Sequence, residues 1–167
     1  SAVDLVPLLT RVVAAAEPLA ERKGSRLDLD VPPAPVVAEV EALRVERVLR
    51  NLVVNAVEHS EGRPVDIRLS ATVEAVEVTV RDRGVGLQPG QAGMVFTRFW
   101  RGDPSRARTT GGTGLGLAIA LEDVRLHGGW LQAAGAPGEG AVFRMTLPRR
   151  AGRTIPNTPL EAPRSRT

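Results

Sequence analysis

Three stretches follow one another along this chain: Asn51-Leu52-Val53-Val54-Asn55-Ala56, Asp82-Arg83-Gly84-Val85-Gly86, and Gly112-Thr113-Gly114-Leu115-Gly116-Leu117. The first lies inside an amphipathic run from Glu41 to His59, whose apolar positions Val45, Val48, Leu49, Leu52 and Ala56 recur at helical spacing. Asn51 and Asn55 are one helical step apart, so both side chains leave the helix from the same face. The second stretch closes an alternating run, Val76-Val78-Val80, that reads as a strand with one buried face. It sets a carboxylate and two glycines at the strand's end. The third stands just before another helical run that ends at His127. An amide-bearing helix followed by two glycine clusters at element boundaries is the layout of a site for a nucleoside triphosphate and its metal.

Outward from these stretches the chain alternates helical and strand patterns. Asp4 to Arg22 reads as a helix with Asp4 as its cap, Pro7 in its first turn and Gly24 just past its end. Pro18 predicts a kink or break near the helix end. Arg26–Val31, Val36–Ala38 and Val65-Ile67-Leu69 read as strands, and Trp130–Ala134 with Ala141–Leu147 as a hairpin around Gly135–Gly138. Helices and strands mix without strict alternation. The expected fold class is therefore α/β, a two-layer sandwich of a mixed, mainly antiparallel sheet covered on one face by helices.

Length and charge narrow the function classes. A chain of 167 residues suits one domain with a substantial core. Without cysteine it forms no disulfide and no thiolate metal site. It has neither a long apolar run for a membrane span nor a signal-peptide pattern. The formal charge of +3 is carried by the last residues: 149–167 hold five Arg and one Glu, so the remainder has a net charge of −1. A basic stripe on the folded part, the footprint of a nucleic-acid binder, is missing. Residues 149–167, rich in Arg, Pro, Ser and Thr, are expected to be a disordered basic tail beyond a domain at 1–148.

Each candidate residue has a chemical reason. An Asn carbonyl is a neutral oxygen ligand suited to Mg²⁺, which takes its other ligands from phosphates and water. A carboxylate such as Asp82 accepts a hydrogen bond from an exocyclic amine, and Gly84 and Gly86 let backbone approach a base. Backbone N–H groups of Gly112, Thr113, Gly114, Leu115 and Gly116, ahead of a helix, form a phosphate cradle. That cradle is not a Walker loop, because no Gly-Lys-Ser/Thr follows it, and no strand precedes it as in a dinucleotide fingerprint.

These motifs, in this order, resemble the N, G1 and G2 boxes of the GHKL superfamily (gyrase, Hsp90, histidine kinase, MutL) and its Bergerat fold. Within it the chain resembles the ATP-binding catalytic domain of sensor histidine kinases over roughly residues 1–148. Val95-Phe96-Thr97-Arg98-Phe99-Trp100-Arg101 resembles the F box, and the wording of the segment that follows is similar to that of actinobacterial sensor kinases. The resemblance implies cofactors ATP and Mg²⁺, with Asn55 on the metal, Asn51 at the phosphate end and Asp82 on adenine N6. It sets Phe96 and His59 beside the nucleotide and Arg101 on the γ-phosphate, and makes residues 88–113 a lid that gains order with Mg-ATP. Glu58 departs from the family, where a Lys is frequent; its phosphate contact is then absent or supplied elsewhere, and a solvated helix end is the other reading.

The implied function is transfer of the γ-phosphate to a histidine on the phosphoacceptor and dimerisation domain of the same kinase, upstream of a response regulator. Asn51 favours transfer over hydrolysis, since related ATPases carry at that position a Glu that activates water, and an amide accepts no proton. His59-Ser60-Glu61-Gly62-Arg63-Pro64 echoes a phosphoacceptor motif, but His59 ends the Asn-bearing helix, and His127 reads as a helix-end residue. The chain is expected to be a cytoplasmic catalytic fragment, monomeric by itself, of a membrane-anchored homodimer. The alternatives are a GHKL ATPase, an anti-sigma-type serine kinase, and a docking module with a dead pocket.

Overall fold

A computed structural model describes residues 1–87 and 116–161. The elements run β1 (Ala2–Asp4), α1 (Leu5–Lys23), β2 (Leu27–Asp30), β3 (Val37–Glu39), α2 (Ala42–Glu58), β4 (Val65–Ala71), β5 (Ala75–Arg81), α3 (Gly116–Leu126), β6 (Trp130–Gly135) and β7 (Ala141–Pro148). Five strands form one sheet in the order β2-β4-β5-β7-β6, in which only the β2–β4 pair is parallel. Parallel neighbours need a crossover, and the chain between β2 and β4 supplies it through α2. β1 and β3 make a separate antiparallel ribbon, with Val3 opposite Ala38. The mixed, mainly antiparallel sheet under helices is the architecture expected from the sequence.

Strand alternation builds the core. Ile67, Val80, Phe143 and Ala133 lie side by side across β4-β5-β7-β6, and Leu69, Val78, Met145 and Leu131 form the next row. All of these belong to, or pack against, one apolar cluster with the buried stripes of the helices. α1 contributes Leu5, Leu8, Leu9, Val12, Val13, Ala16 and Ala20, and α2 contributes Val45, Val48, Leu49, Leu52, Val53, Ala56 and Val57. On the other face the corresponding row is polar: Arg68, Thr79, Arg144 and Gln132.

The caps of α1 match the sequence reading. Asp4 Oδ1 accepts from Val6 N–H at 3.1 Å and also from Val36 N–H at 3.1 Å, so one side chain caps the helix and ties it to the approach of β3. Gly24, at φ +73°, closes the helix in the left-handed conformation. The expected interruption at Pro18 is absent, and the helix continues to Lys23. Pro18 withholds a hydrogen bond from the carbonyl of Ala14, and both residues lie on the exposed face. Water can serve that carbonyl, so the helix survives.

The expectation of a disordered tail fails for residues 149–161. Arg149 donates to the carbonyls of Glu74 (2.9 Å), Val37 (3.1 Å) and Thr72 (3.0 Å), and its own carbonyl accepts from Glu39 N–H at 2.8 Å. The chain then doubles back over the polar face of the sheet. Trp130 Nε1–H donates to the Ile155 carbonyl at 3.0 Å, and Gln132 Nε2 donates to Asn157 Oδ1 and the Thr158 carbonyl, both at 2.8 Å. Composition argued for disorder because the segment has few apolar residues. One of them, Ile155, is 8% exposed, and side chains of β6 and β7 supply polar partners that composition does not reveal. Residues 162–167 lie outside the described part.

Replacing Ile155 with Ser should lower the unfolding free energy in urea by about 1.5–3 kcal/mol, the worth of one buried aliphatic side chain. Trp130 emission should shift to the red as its shelter loosens. An unchanged urea midpoint would show that the strap adds nothing to stability.

Candidate functional site

α2 is the ruler of the site. Its buried stripe fixes its rotation against the sheet, and Asn51, Asn55 and His59 then share another face at four-residue steps. Eight residues at 1.5 Å each make that face about 12 Å long, comparable to an extended nucleotide. At one end Asn51 Nδ2–H donates to the Gly116 carbonyl at 3.2 Å, which joins it to the start of α3. At the other end His59 caps the helix just past Glu58, its Nδ1 2.8 Å from the Asn55 carbonyl. Between them the Asn55 side amide makes no hydrogen bond among the described residues.

The turn after β5 meets the His59 end. A Cβ on Gly84 would overlap the His59 carbonyl, so glycine is required for the turn to close onto α2. Asp82 sits in that junction at 2% exposure, its Oδ1 accepting from Gly84 N–H at 2.9 Å. Burial pushes the Asp82 carboxyl above the ordinary carboxylate range. Backbone hydrogen bonding from Gly84, the nearby His59, backbone hydrogen bonding from Ala141 and the Arg81 charge oppose that rise only in part.

Another contributor escaped the sequence reading, namely the β6–β7 turn. A Cβ on Gly86 (φ +73°) would collide with the Ala136 carbonyl, and one on Gly140 (φ +78°) would collide with the carbonyl of Asp82 itself. Gly138 N–H donates to the Val85 carbonyl at 2.9 Å, and Leu87 is buried against Gly135. The hairpin therefore braces the Asp82–Gly86 turn from behind. Its glycines were legible as a turn, but nothing local in the sequence assigns that turn a neighbour.

The structure thus brings Asn51, Asn55, His59, Asp82, Gly84, Gly86 and Gly116 to one place. Phe96, Arg101, Gly112, Thr113, Gly114, Leu115 and the expected lid lie outside the described residues. Glu58 turns away from this face: its Oε2 lies 3.4 Å from Lys23 Nζ at the end of α1, in an ion pair whose carboxylate is half-buried and whose lysine is exposed. Its departure from the family thus has a packing role, and the dead-pocket alternative loses its sequence support. Arg83 is likewise occupied, 2.6 Å from Asp66 Oδ2. His127 follows α3 and is spent on local bonds to Glu41 N–H (3.0 Å) and the Asp123 carbonyl (2.7 Å), in keeping with a helix-end residue.

Residues 40–151 match the family described as histidine kinase-, DNA gyrase B- and HSP90-like ATPase. Sensor histidine kinase MtrB of Mycobacterium tuberculosis is 55% identical over 159 residues, which is 95% of this chain and 28% of that protein. AfsQ2, a signal transduction histidine-protein kinase of Streptomyces coelicolor, is 40% identical over 68% of this chain and 21% of its own length. Among solved structures, a mycobacterial sensor histidine kinase, MprB, superposes with a TM-score of 0.74 at 28% identity, covering 90% of this chain and 98% of that one. Full-length ShkA in complex with AMPPNP superposes with a TM-score of 0.77 at 30% identity, over 91% of this chain and 31% of its own. The chain thus spans little more than a quarter of the MtrB relatives it matches.

The raised pKa of Asp82 carries a stability signature. A folded-state pKa above the unfolded one favours folding most at low pH, and that contribution is lost as pH rises through the folded value. Asp82→Asn removes the ionisation while keeping an acceptor for Gly84 N–H. In thermal melts across acidic to neutral pH, the mutant should gain on the wild type as pH rises and then hold a constant advantage. A wild type that gains on the mutant with rising pH would reverse the assigned sign.

Proposed function

The chain belongs to the histidine kinase-, DNA gyrase B- and HSP90-like ATPase family, and from that premise we propose that it binds Mg-ATP and passes the γ-phosphate to a histidine on a phosphoacceptor domain. One observation carries this reading: a single face of α2 runs from the start of α3 at Asn51 to the buried carboxylate of Asp82 beside His59. The Asp82 end suits adenine. Its carboxylate accepts from N6, Gly84 and Gly86 let the backbone lie against the base, and His59 flanks it. The Asn51 end suits phosphates, because the N-terminus of α3 presents backbone N–H groups and the positive end of its dipole.

The chemistry of the residues fits transfer better than hydrolysis. Asn51 stands where a water-activating group would be needed, and its amide takes up no proton. The magnesium ion fits the donor set as well: the Asn55 carbonyl is a neutral oxygen ligand, and its side amide has no other partner among the described residues. When bound, the ion would neutralise phosphate charge, leaving Asn55 to orient it. Arg101 is assigned to the charge developing on the γ-phosphate, with Phe96 beside the nucleotide and residues 112–115 in the cradle. The AMPPNP complex of ShkA, a protein of the same fold, agrees with an ATP site in this domain.

The natural partners of such a domain are the phosphoacceptor and dimerisation domain of its own kinase and, after it, a response regulator. We place the chain as the cytoplasmic catalytic part of a membrane-anchored, dimeric sensor kinase. Among the described residues no helix is long and apolar enough to cross a membrane.

Incubated with γ-labelled ATP and magnesium, this domain should label an added helical-hairpin phosphoacceptor domain and leave itself unlabelled. Stable label on His59 or His127 would overturn the assignment. Asp82→Asn should weaken ATP binding about ten- to a hundredfold, since a hydrogen bond to a charged group contributes roughly 1.5–3 kcal/mol. An unchanged dissociation constant in the folded mutant would remove Asp82 from the site.

A further inference from the structure

Asp123 lies on α3 two helical turns beyond Gly116 and is 2% exposed. Its carboxylate accepts from Arg44 Nη1, Arg47 Nε and Arg47 Nη2, each at 2.9 Å. The two Arg47 nitrogens reach different oxygens, so this is a bidentate fork with its own directional preference. Arg44, Arg47, Asn51 and Asn55 follow one another at three- and four-residue steps along one stripe of α2. α3 is therefore pinned to that stripe at two points, Asp123 on the arginines and the Gly116 carbonyl on Asn51.

Apolar packing holds α3 against the core but makes no directional bond along its axis. Its fully buried apolar side chains are the small Ala120 and Val124, with Leu117 and Leu121 partly buried against the core, and burial of apolar surface is non-directional. Only the Asp123 end of the ionic cluster is buried, while Arg44 and Arg47 stay partly exposed to water. What the fork adds is geometry. His127 works at the same junction: its Nε2 receives Glu41 N–H, so the ring proton sits on Nδ1 and donates to the Asp123 carbonyl.

We propose that Asp123 is a positioning residue for the phosphate end of the nucleotide site, its fork with Arg47 and bond to Arg44 setting where α3 begins relative to Asn51 and Asn55. This rests on the ATP-site reading above, in which phosphates meet the start of α3 and adenine meets Asp82. Asp123 touches neither ligand end and acts through the register of α3. Misplacement by about 1 Å is enough to cost about a hundredfold in a preorganised site.

The test compares ADP with adenosine. Adenosine engages only the Asp82 end, whereas ADP also reaches the start of α3. Asp123→Glu keeps the charge and lengthens the side chain, and Arg47→Lys keeps the charge and loses the fork. Dissociation constants for both ligands are measured by displacement of a fluorescent adenine nucleotide, with thermal melts alongside. Each variant should melt near the wild type, bind adenosine as the wild type does, and lose about tenfold or more for ADP, the loss expected of misaligned phosphate contacts. Equal losses for both ligands, or none for either in a folded variant, would overturn the positioning role. Should Asp123→Glu fail to fold, Arg47→Lys decides by the same ratio. A wild type that binds ADP no better than adenosine would instead remove the phosphate-end reading itself, and this proposal with it.

Discussion

The burial of one stripe of α2 is the constraint on which the site depends. Val45, Val48, Leu49, Leu52, Val53, Ala56 and Val57 all go into the core, and a helix held by that many apolar side chains has no freedom to rotate. Its other faces are thereby fixed in direction. One of them carries Asn51, Asn55 and His59 over the site, and Glu58 is turned toward α1, where it meets Lys23. The same event that excludes water from the core aims the amides.

Two buried carboxylates show the same physics with opposite outcomes. Asp123 is compensated on the spot by three guanidinium hydrogen bonds, so its burial buttresses the α2–α3 contact. Asp82 is buried as deeply, yet the groups around it offset the loss of water only in part, and its pKa rises. A partly compensated acceptor is costly to the fold and useful to a ligand that brings a donor, as the proposed adenine N6 would. The stability lost at Asp82 and the affinity proposed there have one origin.

Glycine placement gives the Asp82–Gly86 turn its closeness. Gly84 lets the turn touch the end of α2, and Gly140 lets the β6–β7 turn touch the backbone of Asp82 from the other side. The turn is gripped between a helix end and a hairpin, neither of which tolerates a methyl group at the contact. Arg149 plays a comparable part at the far end of the sheet, where its backbone and guanidinium join the β1–β3 ribbon to the β4–β5 turn.

Local periodicity determined much of this protein by itself. The three- and four-residue apolar recurrence of α2, the two-residue alternation of β4, β5 and β7, and the Asp4 and Gly24 caps are written in neighbouring residues, so the helices and the strands were legible. The amide pair of α2 and the Asp82-Gly84-Gly86 turn were legible for the same reason, since their chemistry is local. What tertiary structure alone decided are the pairings between distant segments: Glu58 with Lys23, Asp123 with Arg44 and Arg47, Gly140 with Asp82, and Ile155 with the strand of Trp130. No period or motif marks such partners, because each depends on which faces the core has already turned toward one another. The uninterrupted helix at Pro18 belongs with them, as it depended on that side of α1 facing water.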